Sequence, residues 1–155
     1  MNQTKAWLAC CLAMGFAGVA NSAVVYTATE LGTLGGMSTS SNLQVNAFDL
    51  NDLGQVVGAA YVNTPYGVKF HAFMTGANGV GINDIGSQIN VLNSAAYAVN
   101  NLGQVAGAFN MGSGGSGEAY ISGPNGKGYT SFFAAGSFSR ASDINDAGQV
   151  TGFIN

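Results

Sequence analysis

Few side chains in this sequence have the chemistry to act on a substrate or hold an ion. His71 is the single histidine. It lies in Val68-Lys-Phe-His71-Ala-Phe73-Met, a stretch that alternates as a strand does. A general base needs a nucleophile or acid within reach, and the sequence alone places none beside it; lying in an alternating strand, His71 is expected to pack. A zinc site needs more His or Cys than this. The carboxylate pairs Asp49/Asp52 and Asp143/Asp146 are of the type that glycoside hydrolysis uses. Each pair flanks a turn and recurs by repetition, which favours a turn role. The same stretches, Asp49-x-Asn51-Asp52-x-Gly54 and Asp143-x-Asn145-Asp146-x-Gly148, faintly suggest calcium ligands. Calcium loops place oxygens at alternate positions before their Gly and add a later carboxylate. That spacing is not met, and the middle copy has Ala98 and Asn101 where the others have Asp. We therefore expect no catalytic, metal or cofactor-binding residue, with calcium at the turn carboxylates as the alternative. Gly112-Ser-Gly-Gly-Ser-Gly117 lacks the Lys and following helix of a phosphate cradle and reads as a flexible loop. Tyr26, Tyr61, Tyr66, Tyr97, Tyr120 and Tyr129 have the rings for sugar stacking, but most are expected to be half-buried in strands.

The elements that position these groups come from a stretch that occurs three times. It reads Ala47-Phe-Asp-Leu-Asn51-Asp-Leu-Gly54-Gln55-Val-Val-Gly58, then Ala96-Tyr-Ala-Val-Asn100-Asn-Leu-Gly103-Gln104-Val-Ala-Gly107, then Ala141-Ser-Asp-Ile-Asn145-Asp-Ala-Gly148-Gln149-Val-Thr-Gly152. The Asn positions are 49 and 45 residues apart. Before each Asn the apolar residues alternate, as in Phe48 and Leu50 or Tyr97 and Val99, which predicts one face of a strand. An Asn side chain can accept from the backbone N–H two residues on and start a turn. The first Gly then takes the left-handed conformation that closes a short hairpin with a bulge. The second Gly (58, 107, 152) predicts close approach of a neighbouring backbone or a bulge. A period of about 45 to 50 residues fits one four-stranded blade or one trefoil lobe.

Met1 to about Ser22 has a basic start (Lys5), an apolar run from Ala6 to Ala20 and small residues at Ala20 and Ser22. This is the pattern of a secretory signal peptide, too short for a membrane span. The expected product is secreted, extracellular or periplasmic, with no stable span after cleavage. Cys10 and Cys11 both lie in the leader, so neither a disulfide framework nor a thiol nucleophile is expected in residues 23–155. That portion is expected to be one domain, with units at about 24–78, 79–125 and 126–155. It holds three cations, Lys69, Lys127 and Arg140, against seven acids. Three scattered cations cannot track phosphates, which disfavours nucleic acid as a partner. Sparse charge also leaves strand edges unguarded and open to self-association.

Along the sequence, Val24 to Thr29 reads as a strand broken by Gly32-Thr-Leu-Gly-Gly36, and a polar loop (Ser38 to Asn42) leads to the first hairpin. Asp84-Ile-Gly86-Ser matches Glu30-Leu-Gly32-Thr in kind, and Glu118-Ala-Tyr120-Ile occupies the place of His71-Ala-Phe73-Met. Tyr129 to Phe133 is expected as a strand of the third unit, which reaches Asn155 without a counterpart to the His71-Ala72-Phe73 strand. No amphipathic helix is expected.

Glu30-Leu-Gly-Thr-Leu-Gly-Gly36, the three Asn-Asx-x-Gly-Gln-Val-x-Gly hairpins and His71-Ala72-Phe73 together resemble the HAF-repeat family of bacterial extracellular proteins. The resemblance covers most of the sequence beyond the leader, is specific in the first two units and fades in the third. Only one His-Ala-Phe is present, and Met74 stands where an aromatic commonly follows. The resemblance implies an exported, repeat-built β protein with propeller-like blades and no established activity. The expected fold is therefore all-β, made of repeated four-stranded antiparallel units, about three and incomplete, with a β-trefoil or β-prism as the alternative. Closed propellers generally use four or more blades. Three routes would cover the open edges: pairing of Val24 to Thr29 with the last unit, closure as a trefoil or prism, or a second copy of the protein. The expected role is structural or adhesive at a surface or matrix, without catalysis. A lectin-like carbohydrate-binding module, with a cell-surface or matrix glycan as partner, is the alternative, and a hydrolase ranks last.

Overall fold

A computed structural model describes residues 26–36, 45–89, 93–109, 117–132 and 138–155. The leader, Val24, the polar loop from Ser38 and most of the Gly/Ser loop lie outside the described residues. The described part is all-β, and all its sheets are antiparallel. Strands β1 (Val45–Leu50), β2 (Val56–Thr64), β3 (Gly67–Thr75) and β4 (Ile82–Asp84) form one four-stranded meander. Strands β5 (Ser94–Val99), β6 (Val105–Phe109), β7 (Glu118–Ser122) and β8 (Tyr129–Ser131) form a second in the same order. Strands β9 (Ser139–Ile144) and β10 (Val150–Ile154) form a two-stranded sheet. None of the three sheets closes on itself.

The first two strands of every sheet are the predicted hairpin. Gly54, Gly103 and Gly148 have φ of 69°, 71° and 75°. The turn closes from Gly54 N–H to Asn51 C=O at 2.9 Å, with 3.0 Å at both equivalents. Opposite the second Gly each first strand carries one extra residue, a bulge that falls on Phe48, Tyr97 and Ser142. A Cβ on Gly58, Gly107 or Gly152 would collide with the carbonyl of Asn46, Ala95 or Arg140 across the strand. The bulge alters the expected alternation. Phe48 is 47% and Leu50 65% exposed, so the two do not form a buried face.

Two unit boundaries move. Ile82–Asp84 is the outer strand of the first sheet and Tyr129–Ser131 that of the second. Each therefore ends the unit before the one to which the sequence assigned it. Tyr26 to Thr29 is not a strand. The segment instead runs along the first sheet: Gly36 N–H donates to Tyr61 C=O at 3.0 Å, and Asn63 Nδ2 donates to Gly35 C=O at 3.0 Å. The described part thus does not pair with the last unit.

Apolar faces pack between sheets. Val57, Ala72, Met74, Ile85, Ala96, Val99, Val105, Phe109 and Tyr120 form the core of the first and second. Ala98, Ala106, Ala119, Ala141 and Ile144, flanked by Ile121 and Val150, form that of the second and third. Four alanines in the second core let those sheets approach closely. Aliphatic residues at connector positions plug the turns: Ile85 lies against Gly126 in the Pro124–Gly126 turn, and Leu31 against Gly79 in the corresponding Ala77–Gly79 turn. The Glu30-Leu31-Gly32 and Asp84-Ile85-Gly86 likeness is thus a likeness of packing. No helix among the described residues is long and apolar enough to cross a membrane.

Candidate functional site

The predicted reactive groups fall into three places. The first is His71. It sits on β3, 5% exposed, with Nδ1 3.0 and 2.9 Å from the two carboxylate oxygens of Asp84 on β4. Asp84 also accepts the Ser87 N–H at 2.8 Å. The imidazole is covered by the backbone of Gly86, where a Cβ would come within 2.6 Å of the ring. Nε2 is buried without a hydrogen-bond partner. The neighbouring Ser94 is fully buried, and its hydroxyl accepts the Ala72 N–H at 2.9 Å. An aspartate, a histidine and a serine are thus brought together, His71 and Ser94 buried and Asp84 half-buried. The arrangement clamps β4 to β3. In the second sheet Glu118 stands at the position of His71 and Ser131 at that of Asp84, so the pair is not repeated.

The second place is the stack of hairpin loops. Asn51 Oδ1 accepts from Leu53 and Gln55 N–H at 3.1 and 3.0 Å. Its Nδ2 donates to Gln55 Oε1 at 2.8 Å and to the backbone carbonyl of Asn100 at 2.9 Å. Asn100 repeats the pattern on Leu102, Gln104 and the carbonyl of Asn145, the last at 3.0 Å. Asn145 makes the same three local bonds, to Ala147 and Gln149. The turn residues singled out from the sequence therefore form a lateral ladder that joins the loops. Beside it runs a second ladder. Asn101 Nδ2 donates to Asp52 Oδ2 at 2.9 Å and to Asp146 Oδ2 at 3.1 Å. Asp52 N–H donates to Asn101 Oδ1 at 2.9 Å, and Asn101 N–H to Asp146 Oδ1 at 2.8 Å. An amide between two carboxylates supplies the two donors that an aspartate there would lack. Asp49 accepts the Val99 N–H at 2.8 Å, and Asp143 Oδ1 the N–H of Ile144. Each carboxylate of the two candidate pairs is thus engaged by protein donors. Among the described residues no three His, Cys, Asp or Glu side chains cluster to hold a metal ion.

The third place is a ridge that sequence reasoning missed. The bulge residues Phe48 and Tyr97 stack with ring centroids 5.5 Å apart. The Arg140 guanidinium lies 4.8 Å from the Tyr97 ring centre and 5.3 Å from that of Phe153. Phe153 in turn lies 5.4 Å from Phe138. The third bulge carries Ser142, and Arg140 takes up the space an aromatic would fill, donating from Nε to Ser142 Oγ at 3.2 Å. The ridge spans all three sheets, with Phe48 and Phe153 each more than two-fifths exposed. The usable signal was the bulge. It turns the residue after the repeated Ala out of the sheet's alternation.

Of the six tyrosines, Tyr61 and Tyr97 are half-buried as expected, whereas Tyr26, Tyr66 and Tyr129 are exposed. Tyr120 is fully buried, and burial, reinforced by Tyr97, pushes its phenol well above the ordinary tyrosine range. Comparison of the sequence with protein-family models, with curated proteins and with solved structures finds no match.

Proposed function

We propose that this is an exported, non-catalytic module with a structural or adhesive role at a surface or matrix, built of three propeller-like units as in the HAF-repeat proteins it resembles. One observation carries the reading. His71, Asn51 and Asn100 are buried in bonds that hold strands and loops together, the exposed Asp52 and Asp146 are bonded to Asn101, and an aromatic and guanidinium ridge is left facing out. Rings and a guanidinium on a low-charge surface suit contact with glycan rings or with another protein's apolar face. A lectin-like role is the second reading, favoured by the same ridge. The exported protein should bind a cell-surface or matrix glycan, and Phe48→Ala with Arg140→Ala should weaken binding at least tenfold at unchanged thermal stability. A glycan and matrix-protein array read by surface plasmon resonance tests this. No binding to either class would remove the adhesive reading. Turnover of a glycoside or ester substrate would remove the non-catalytic one.

A further inference from the structure

Two asparagines in the sequence precede a glycine, Asn78 and Asn125. They hold the same place in two units, in the turns that join β3 to β4 and β7 to β8. Both are exposed and left-handed, at φ 56° and 57°. The glycines that follow, Gly79 and Gly126, are buried and left-handed too, at φ 72° and 67°. Two left-handed residues in succession make the tight turn that Asn-Gly favours. Each turn is docked on the hairpin loop of its own unit. Gly79 N–H donates to Gly54 C=O at 2.8 Å, and Gly126 N–H to Gly103 C=O at 3.2 Å. An aliphatic plug lies against each glycine, Leu31 at Gly79 and Ile85 at Gly126. Gln55 of the first unit also reaches the second turn, where its Nε2 donates to Asn125 Oδ1 at 3.4 Å.

We propose that Asn78–Gly79 and Asn125–Gly126 are sites of spontaneous deamidation, gated by the bond that docks each turn on its hairpin loop. The glycine nitrogen attacks the asparagine Cγ. A C–N bond forms, the bond from Cγ to the amide nitrogen breaks, and ammonia leaves with the proton that the glycine nitrogen gives up. Water then opens the cyclic imide. Opening at Cγ gives aspartate; opening at the main-chain carbonyl gives isoaspartate, whose main chain runs through the former side chain and is one carbon longer. Glycine singles out these two asparagines, because without a side chain it lets the backbone fold back to the attacking geometry. The docked turn blocks the first step in two ways. The attacking nitrogen is buried with its N–H engaged. At ψ 29° and 35° it also lies nearly opposite the asparagine Cβ across the Cα–C bond, whereas ring closure needs the two close to eclipsed. The turn must therefore open first, so the rate in the fold follows local opening. The change runs one way. The imide nitrogen carries no hydrogen and cannot remake the docking bond, and the lengthened chain of isoaspartate no longer fits a two-residue turn. At Asn125 the damage falls on the seam between the first two units, where Ile85 and Gln55 are seated. This inference goes beyond the structural reading above and does not depend on it.

The experiment incubates the purified protein at mildly alkaline pH, folded and in urea, and reads each asparagine by peptide mass spectrometry. In urea the two turn sites should convert before any other asparagine, with isoaspartate the main product. In the folded protein both should convert about tenfold or more slowly. Leu31→Ala should speed conversion at Asn78 roughly threefold or more and leave Asn125 unchanged, and Ile85→Ala should do the reverse. Leu31 is only half-buried, so its variant keeps the test alive if loss of the fully buried Ile85 prevents folding. The double variant Asn78→Gly with Asn125→Gly keeps both left-handed positions and removes both reacting amides. It should hold its urea midpoint through an incubation that lowers that of the parent protein. Equal rates in the folded and unfolded protein, earlier conversion of another asparagine in urea, or acceleration of both turns together by Leu31→Ala would overturn the proposal. So would a parent protein that converts at both turns and keeps its midpoint.

Discussion

Asn100 uses every hydrogen-bonding group of its carboxamide. Three bonds close its own turn, and the fourth reaches the backbone of the next loop. At about 1 kcal/mol net per bond, with buried partners left unpaired, Asn100→Ala should cost about 2–4 kcal/mol in urea unfolding. Asn145→Ala, at an exposed turn where water replaces the lost partners, should cost about 1 kcal/mol. Equal costs would mean that the lateral bond contributes nothing. Tyr120 gives a pH prediction. Its phenol is held neutral in the fold by burial, so its folded value lies above its unfolded one. Stability is complete below the unfolded tyrosine value of about 10 and declines as pH rises past it. Tyr120→Phe should flatten that alkaline decline, with only a small loss at pH 7 because its hydroxyl bond to Ala95 C=O is long, at 3.4 Å. Thermal melts at pH 7 and pH 11 check both. The turn role of each Asn was legible because it acts over two to four residues. The bond from Asn51 to Asn100 was not, because it spans 49 positions and its acceptor is a carbonyl that any residue would supply.

At the scale of elements, the hairpin was read from Asn, Gly and the spacing between them, and the structure keeps all three. Alternation misled where the bulge intervenes, since one added residue reverses which side chains face inward. Nothing in a single strand's composition announces that reversal; it needs the partner strand, whose glycine sits opposite. The glycine therefore gives the sharper test. Gly107→Ala drives a Cβ into the Ala95 carbonyl and the Tyr120 ring and should destabilise by about 3 kcal/mol or more. Gly128→Ala, at φ +65° with open space around it, meets only backbone strain and should cost about 1–2 kcal/mol. Guanidinium melts of the two variants should separate steric from conformational need. The short strands β4 and β8 were assigned to the wrong units because their three residues carry too little pattern to show which sheet they join.

Across the molecule, the units are held by a few repeated bonds over alanine-rich and aliphatic cores. Ser94 and Ser139 each accept the N–H of an alanine on the preceding sheet, at 2.9 Å. These serines carried no signal in the sequence, since a buried hydroxyl and a surface one are written alike. Asn101, noted there as a departure from a calcium pattern, proves to be the amide that lets Asp52 and Asp146 share one ladder. Asn101→Asp would set three carboxylates in a row. On an exposed surface this should cost about 1 kcal/mol at pH 7. The deficit should shrink in high salt and as the pH falls through the carboxylate range, where protonation removes the repulsion. Denaturant midpoints at pH 7 and pH 4 test it. Finally, the bond between neighbouring loops always leaves an asparagine side chain and lands on a backbone oxygen of the following loop. A donor that asks only for a carbonyl will accept any newly duplicated segment that folds into the same hairpin. The lateral bond thus asks nothing of the neighbour's side chains, whereas the ladder beside it does: an inserted copy would fit only where an amide faces each carboxylate.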